Sequence, residues 1–284
     1  MSGLVSRTVL TFQHNAKLYS LPTSVLAVTP FPSLAEADRQ LFKSAPDDDS
    51  LVVVVTKETI FHPQGGGQPS DTGSMSSSSS GNIFSVHAVR MSATDEGRVL
   101  HLGRFRSADS TSTTKPAPSF ALDEPVTQNL DVDKRVLYSR LHTAGHVLGA
   151  AVRHLLESQV PGFDELKASH FPDSAACEFA GLIEGKWKDE IQAKVDEYVA
   201  AAMPVEVDFW TDEDFRANGL ERLIPNGEGV KLAPGEKYRV VKIVGAEVYP
   251  CGGTHVDTTE QCGKVGVRKI SRSKGTSRVS YNVS

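Results

Sequence analysis

The sequence predicts an α+β protein of two modest domains. Three observations carry that reading. Short β-branched runs separated by turns fill the first third, helical periodicity begins at Asp131, and strand-like segments return after about residue 204. A length of 284 residues exceeds what one ordinary domain needs, and 39% hydrophobic with 23% charged residues is globular composition with enough apolar material for two cores. The expected division is 1–125 and 126–284.

In the first part, Leu51 to Thr56 and Thr59 to Phe61 read as strands, as do Phe84 to Met91 and Val99 to Leu102. Between them lies His62-Pro-Gln-Gly-Gly-Gly-Gln-Pro-Ser-Asp-Thr-Gly73, whose adjacent glycines free the backbone to approach a ligand or simply to turn. Serines dominate 74 to 80 and a Ser/Thr/Pro-rich stretch runs from 107 to 119. Neither carries much apolar surface, so the first is expected as a flexible hairpin tip and the second as an insertion.

From Asp133 a helix of about 25 residues is expected, because Val136, Leu137, Leu141, Val147, Leu148, Ala151, Val152, Leu155 and Leu156 recur mostly at spacings of three and four. Pro161-Gly162 stops it. A second helix is expected over 187–203, then strands at Val205 to Trp210, Tyr238 to Val244, Val265 to Ile270 and Arg278 to Val283, the last closing the sheet. No internal repeat is found.

Composition also limits function. The longest apolar stretch, Leu51 to Val55, is far short of the roughly 18 residues a membrane span needs. The N-terminus lacks the pattern of a signal peptide, so a cytosolic protein without membrane association is expected. Three cysteines, Cys177, Cys251 and Cys262, do not form a disulfide scaffold and are expected reduced. A net charge of −5 argues against indiscriminate nucleic-acid binding over the whole surface. One local exception is the run Lys264, Arg268, Lys269, Arg272, Lys274 and Arg278, which contains no acid.

Two spaced pairs carry the chemistry. His142 and His146 stand four apart on the expected helix, so both imidazoles can face one ion. Cys251-Gly-Gly-Thr-His255 adds a thiolate and a third imidazole on a loop that can bend both inward. Together they offer Cys1His3, a nitrogen and sulfur set that suits Zn2+ and disfavours magnesium or calcium. Four ligands would close the site; were His255 outside the shell, an open position would follow. His170, at the start of a His-Phe-Pro-Asp segment, is a further candidate neighbour, whereas His14, His62, His87, His101 and His154 are expected to be structural or on the surface. Cys177 and Cys262 are expected as buried small hydrophobes.

The helix with His142-Thr-Ala-Gly-His146, the loop Cys251-Gly-Gly-Thr-His255-Val256 and the segment Phe61-His-Pro-Gln-Gly-Gly-Gly-Gln68-Pro-Ser-Asp71-Thr-Gly73 together resemble the alanyl-tRNA synthetase editing domain. More closely, they resemble the freestanding AlaX proteins built from it, over about Val52 to the C-terminus. The resemblance implies an N-terminal small β-barrel followed by a two-layer α/β editing domain of the threonyl/alanyl-tRNA synthetase second additional domain type. It implies hydrolysis of the ester that joins a wrong amino acid to the tRNA 3′ end, chiefly seryl-tRNA(Ala), with glycyl-tRNA(Ala) as a second candidate.

By motif position, the resemblance makes His142, His146, Cys251 and His255 the zinc set and puts Gln68 at the mouth of the site. Gly145 stands where family members often have a larger residue, which would enlarge the pocket. Catalytic candidates are Gln68 and Thr143; substrate-binding candidates are Gly66, Gly67, Gln68 and Thr254, with Gln68, Thr143 and Thr254 able to bond a serine hydroxyl. Lys274 and Arg278, presented by a Ser-Lys-Gly-Thr-Ser loop, are candidates for phosphate contact. The metal motifs hold no aspartate or glutamate and so offer no obvious carboxylate base, which favours a positioning role for zinc. The alternatives are a noncatalytic zinc-stapled RNA-binding module, a zinc hydrolase for a small ester or amide, and a deacylase for another noncognate aminoacyl-tRNA.

Overall fold

The computed structural model describes residues 7–43, 48–106, 119–225 and 235–284. These form two compact units, the first comprising 1–65 and 69–135, the second 66–68 and 136–284.

The first unit opens with β1 (Val9–Leu10), β2 (Ser20–Pro30) and the short helix α1 (Glu36–Arg39). It continues with β3 (Val52–Thr56), β4 (Glu58–Thr59), β5 (Gly73–Ser76), β6 (Ile83–Met91), β7 (Val99–Phe105) and β8 (Pro125–Leu130). Six strands close into a barrel in the order β2-β3-β7-β6-β5-β8, which leaves no open edge. Its interior is filled by side chains such as Val25, Val54, Phe61, Met75, Phe84 and Val126.

The serine run is not a free tip. It completes β5 and then turns through Ser77, which is buried, bonds the Ser79 hydroxyl and accepts the Gly81 N–H. Met75 within it is fully buried in the barrel core, which anchors the hairpin. The expected insertion at 107–119 lies outside the described residues except for Ser119.

The ends of the glycine segment are fixed inside this unit. Buried Asp71 accepts the His62 N–H at 2.6 Å and pairs with the buried Arg135 guanidinium, which also donates to the carbonyls of Ile60 and Ala16. Such a pair is costly to desolvate, and it is tolerated here because these bonds satisfy most of its donors.

Helix α2 (Val132–Leu156) has the expected length and place. Asp131 precedes it and accepts the Lys134 N–H, satisfying one of the donors a helix start leaves open. One residue departs from the expected face: Val136 is 39% exposed, whereas Leu141, Val147, Leu148, Ala151 and Val152 are buried.

After α2 come β9 (Asp164–Ser169), β10 (Ala176–Ala180), α3 (Lys188–Ala200), β11 (Val205–Trp210), α4 (Asp212–Ala217), β12 (Tyr238–Ile243), β13 (Glu247–Pro250), β14 (Val265–Ser273) and β15 (Thr276–Val283). The strands do not share one sheet. β14-β15-β10-β9 forms a four-stranded antiparallel sheet, and β11-β12-β13 a separate three-stranded one. The Cys251 loop thus leaves β13 of one sheet and leads to β14 of the other.

The core of this unit lies between α2, α3 and the four-stranded sheet. Gln192 of α3 clasps β14 by accepting from Val267 N–H and donating to the Val265 carbonyl. A β-bulge between Val267 and Lys269 breaks the alternation, so Arg268 and Lys269 are both exposed.

Candidate metal centre and its pocket

Two successive turns of α2 place His142 and His146 one above the other, their rings 4.9 Å apart edge to face. The loop after β13 brings Cys251 Sγ to 3.4 Å from His142 Nε2 and 3.3 Å from His255 Nε2. One ligand atom from each of His142, His146, Cys251 and His255 lies within 4.8 Å of the others. Four donors converging this closely in mutual contact suit a tetrahedral cation better than they suit one another.

Hydrogen bonds behind the rings fix which nitrogens face inward. The Thr254 backbone N–H can only donate, so its partner at 3.0 Å is the Gln68 amide oxygen. That oxygen also stands 2.7 Å from His142 Nδ1, which must therefore carry the proton, leaving the Nε2 lone pair beside Cys251. On the other side, Thr143 Oγ1 accepts the Val256 N–H at 3.2 Å and meets His255 Nδ1 at 3.1 Å.

His146 differs from these two. Its Nδ1 is buried with no hydrogen-bond partner, an orphan that a bound cation's charge and geometry would account for. Burial, with His170 and Arg239 adding to it, holds the His146 pKa down at about 3, so the ring is neutral and a competent ligand. Burial pushes the Cys251 thiol up, opposed by the Gly253 N–H at 3.3 Å and by Arg239. A thiol in that balance becomes a thiolate when a metal takes the proton's place. The residues present therefore fit zinc.

The cluster forms one end of a cavity of about 610 Å³, large enough for a small organic substrate. Its wall runs from Gly66 and His170 past Tyr249 to Glu165, Glu247 and Arg153. Arg153 organises the far side, its guanidinium 2.9 Å from Glu165 and 3.3 Å from Glu247. Burial raises the Glu165 pKa against the pull of Arg153. Tyr249 packs its ring 4.3 Å from His146 and donates to the His146 carbonyl.

Several expectations change here. Gln68 is not at the mouth of the site but is fully buried behind it, where its amide holds His142 and Thr254. Thr143 and Thr254 are also fully buried and engaged, Thr254 with Gln68 and with Ser139 at 2.8 Å. Gly66 does line the cavity, whereas Gly67 packs against Ala168 and His170.

Gly145 lines the cavity. A Cβ there would stand 2.4 Å from His170 Cε1 and 2.7 Å from the Tyr281 hydroxyl, so the missing side chain makes room for His170. Lys274 and Arg278 do not line the cavity. Lys274 sits in the β14–β15 turn at φ +49°, while Arg278 belongs to β15 itself and donates to the Ser174 carbonyl. Carboxylates do line the cavity, Glu165 and Glu247 among them beside Arg153. Neither has a motif around it, but Arg153 was legible: 142, 146, 149 and 153 form one helical stripe.

Residues 238–280 match the family model described as the threonyl and alanyl tRNA synthetase second additional domain. The alanyl-tRNA editing protein AlaX-L of Pyrococcus horikoshii is 29% identical over 251 residues, covering 88% of this chain and 55% of its own length. AlaX-M of Methanosarcina barkeri is 28% identical, covering 82% of this chain and 88% of its own length. The chain is a homologue of the AlaX editing proteins. An alanine–tRNA ligase, that of Thermotoga maritima, is 30% identical over 81% of this chain, which spans only 24% of that enzyme. This AlaX homologue therefore spans little more than half of the AlaX-L protein it matches and about a quarter of the ligase. Among the described residues, no helix is long and apolar enough to cross a membrane.

Proposed function

We propose that this chain is an aminoacyl-tRNA hydrolase that clears mischarged tRNA(Ala), with the seryl ester as its main substrate and the glycyl ester as a second. The observation that carries the reading is the convergence of His142, His146, Cys251 and His255 beside a cavity that the first three of them line, in a chain whose relatives are named alanyl-tRNA editing proteins. The 126–284 segment would be the zinc-binding editing domain, and 1–125 the barrel that carries most of the glycine motif.

An aminoacyl ester is already activated, so hydrolysis needs a positioned substrate and an electrophilic environment for its carbonyl more than a strong base. Zinc held by all four side chains would fix the geometry of the pocket, and held by three of them it would keep a position from which to supply Lewis acidity to the carbonyl or the attacking water. The protein's own residues do the positioning. Gln68 and Thr143 orient the imidazoles of His142 and His255. The substrate's α-ammonium group suits the far wall, where five carboxylates face three cations.

The test is deacylation of purified seryl-, glycyl- and alanyl-tRNA(Ala) by wild-type protein and by His146→Ala, with zinc content and circular dichroism measured on both. Wild type is expected to hydrolyse the seryl ester and spare the alanyl one, and the variant to lose at least about 100-fold in rate. An intact seryl ester after incubation with zinc-loaded wild type would sink the editing assignment. Full activity in the variant would remove the metal from turnover and favour a closed, stapling zinc site.

A further inference from the structure

The three polar residues expected to read a serine hydroxyl are each consumed by internal bonds, so the cavity needs another group for that task. His170 supplies it. The residue is 1% exposed and borders the cavity, its ring stacked on the ligand His142 at a centroid distance of 4.1 Å. Its backbone N–H donates to the Gly67 carbonyl at 2.8 Å, tying it to the glycine segment.

The tautomer follows from one hydroxyl. Tyr281 donates its only hydroxyl hydrogen to the Leu141 carbonyl at 2.8 Å, so the same oxygen accepts from His170 Nδ1 at 2.7 Å. Nδ1 therefore carries the ring proton and Nε2 bears a free lone pair. Among the described residues Nε2 has no partner. Two glycines hold the ring in this pose: a Cβ on Gly67 would stand 3.2 Å from its Cδ2, and one on Gly145 2.4 Å from its Cε1. Nε2 lies between those two carbons, at the tip of the ring.

We infer that His170 Nε2 is the hydrogen-bond acceptor that reads the side-chain hydroxyl of the aminoacyl ester, making His170 the residue that sets preference for a β-hydroxy amino acid over glycine or alanine. A donor is the partner this corner favours: Nδ1–H is committed to the Tyr281 oxygen, so the remaining ring nitrogen offers only a lone pair, which a hydroxyl can satisfy. An acceptor that the seryl hydroxyl satisfies and that alanine or glycine leaves without a partner supplies the discrimination that apolar shape alone cannot. This inference rests on the editing function proposed above.

Single-turnover hydrolysis of seryl- and glycyl-tRNA(Ala) by the zinc-loaded full chain tests it. His170→Asn keeps an amide near the Nδ1 position for Tyr281 but places nothing where Nε2 stood, whereas His170→Gln reaches that position with an amide oxygen. The seryl-to-glycyl rate ratio is expected to fall about 10-fold in His170→Asn and to recover in His170→Gln, with zinc content unchanged. If His170→Asn does not fold, Gly145→Ala, whose added Cβ must displace the ring, gives the same readout. Equal loss on both esters, or no change in the ratio, would overturn the inference while leaving the deacylase intact. Failure of wild type on both esters would instead strike the function itself.

Discussion

At the scale of single residues, Gln68 illustrates what spacing hides. The His142/His146 and Cys251/His255 pairs are legible because their ligand geometry is local, within one turn of helix or one short loop. Gln68 meets Thr254 across 186 positions of sequence, and its two accepted bonds, from Thr254 N–H and His142 Nδ1–H, exist only once the chain has folded. Its task is thus to hold a ligand's tautomer, and replacing it separates acceptor from shape. Gln68→Leu leaves two buried donors unpaired and is expected to weaken zinc binding by about 10- to 100-fold in chelator competition. Gln68→Glu, which keeps the acceptor, is expected to stay closer to wild type. Equal affinity for Gln68→Leu and wild type would show that His142 needs no such support.

Among elements, helices were the most legible, because a buried stripe at a 3.6-residue period survives in sequence wherever packing is one-sided. Strand β2 was not: its 11 residues, Ser20–Pro30, are mostly half-buried, and its one apolar run, Val25 to Val28, is short and set between Pro22 and Pro30. The bulge in β14 was equally invisible, since an inserted residue changes the parity of side chains without changing composition. Strand β7 holds a group with a measurable consequence. His101 is fully buried, between the Val54 carbonyl at 2.9 Å and the Thr59 hydroxyl at 2.8 Å, and burial lowers its pKa from 6.5 to about 4. Between those values the unfolded chain binds a proton that the folded barrel refuses. Stability contributed by the neutral ring is therefore full above pH 6.5 and lost as pH falls toward 4, by up to about 3 kcal/mol. Urea midpoints at pH 7.5 and pH 5 should drop further for wild type than for His101→Gln. Parallel drops would mean that other groups carry the acid sensitivity.

For the whole molecule, a net charge of −5 coexists with a basic hairpin, and the sum conceals the patch. The sequence located the basic run, and of the two phosphate candidates first expected Lys274 is exposed. Arg278 is held in β15 by the Ser174 carbonyl, whereas Arg272 and Lys274 are exposed around the β14–β15 turn and the bulge adds Arg268 and Lys269. Four exposed cations along one hairpin form a local strip of positive charge of the kind that attracts a phosphate backbone. For the function proposed above, an acidic protein needs such a local attractant to overcome its own repulsion of tRNA. Arg272→Glu/Lys274→Glu should therefore weaken tRNA binding several-fold at low salt and flatten the slope of log affinity against log salt by about 1 to 2, as expected when about two phosphate contacts are lost. Hydrolysis at saturating tRNA should be unchanged, because neither residue borders the cavity. A salt slope identical to wild type would place the nucleic-acid contact on another face of the protein.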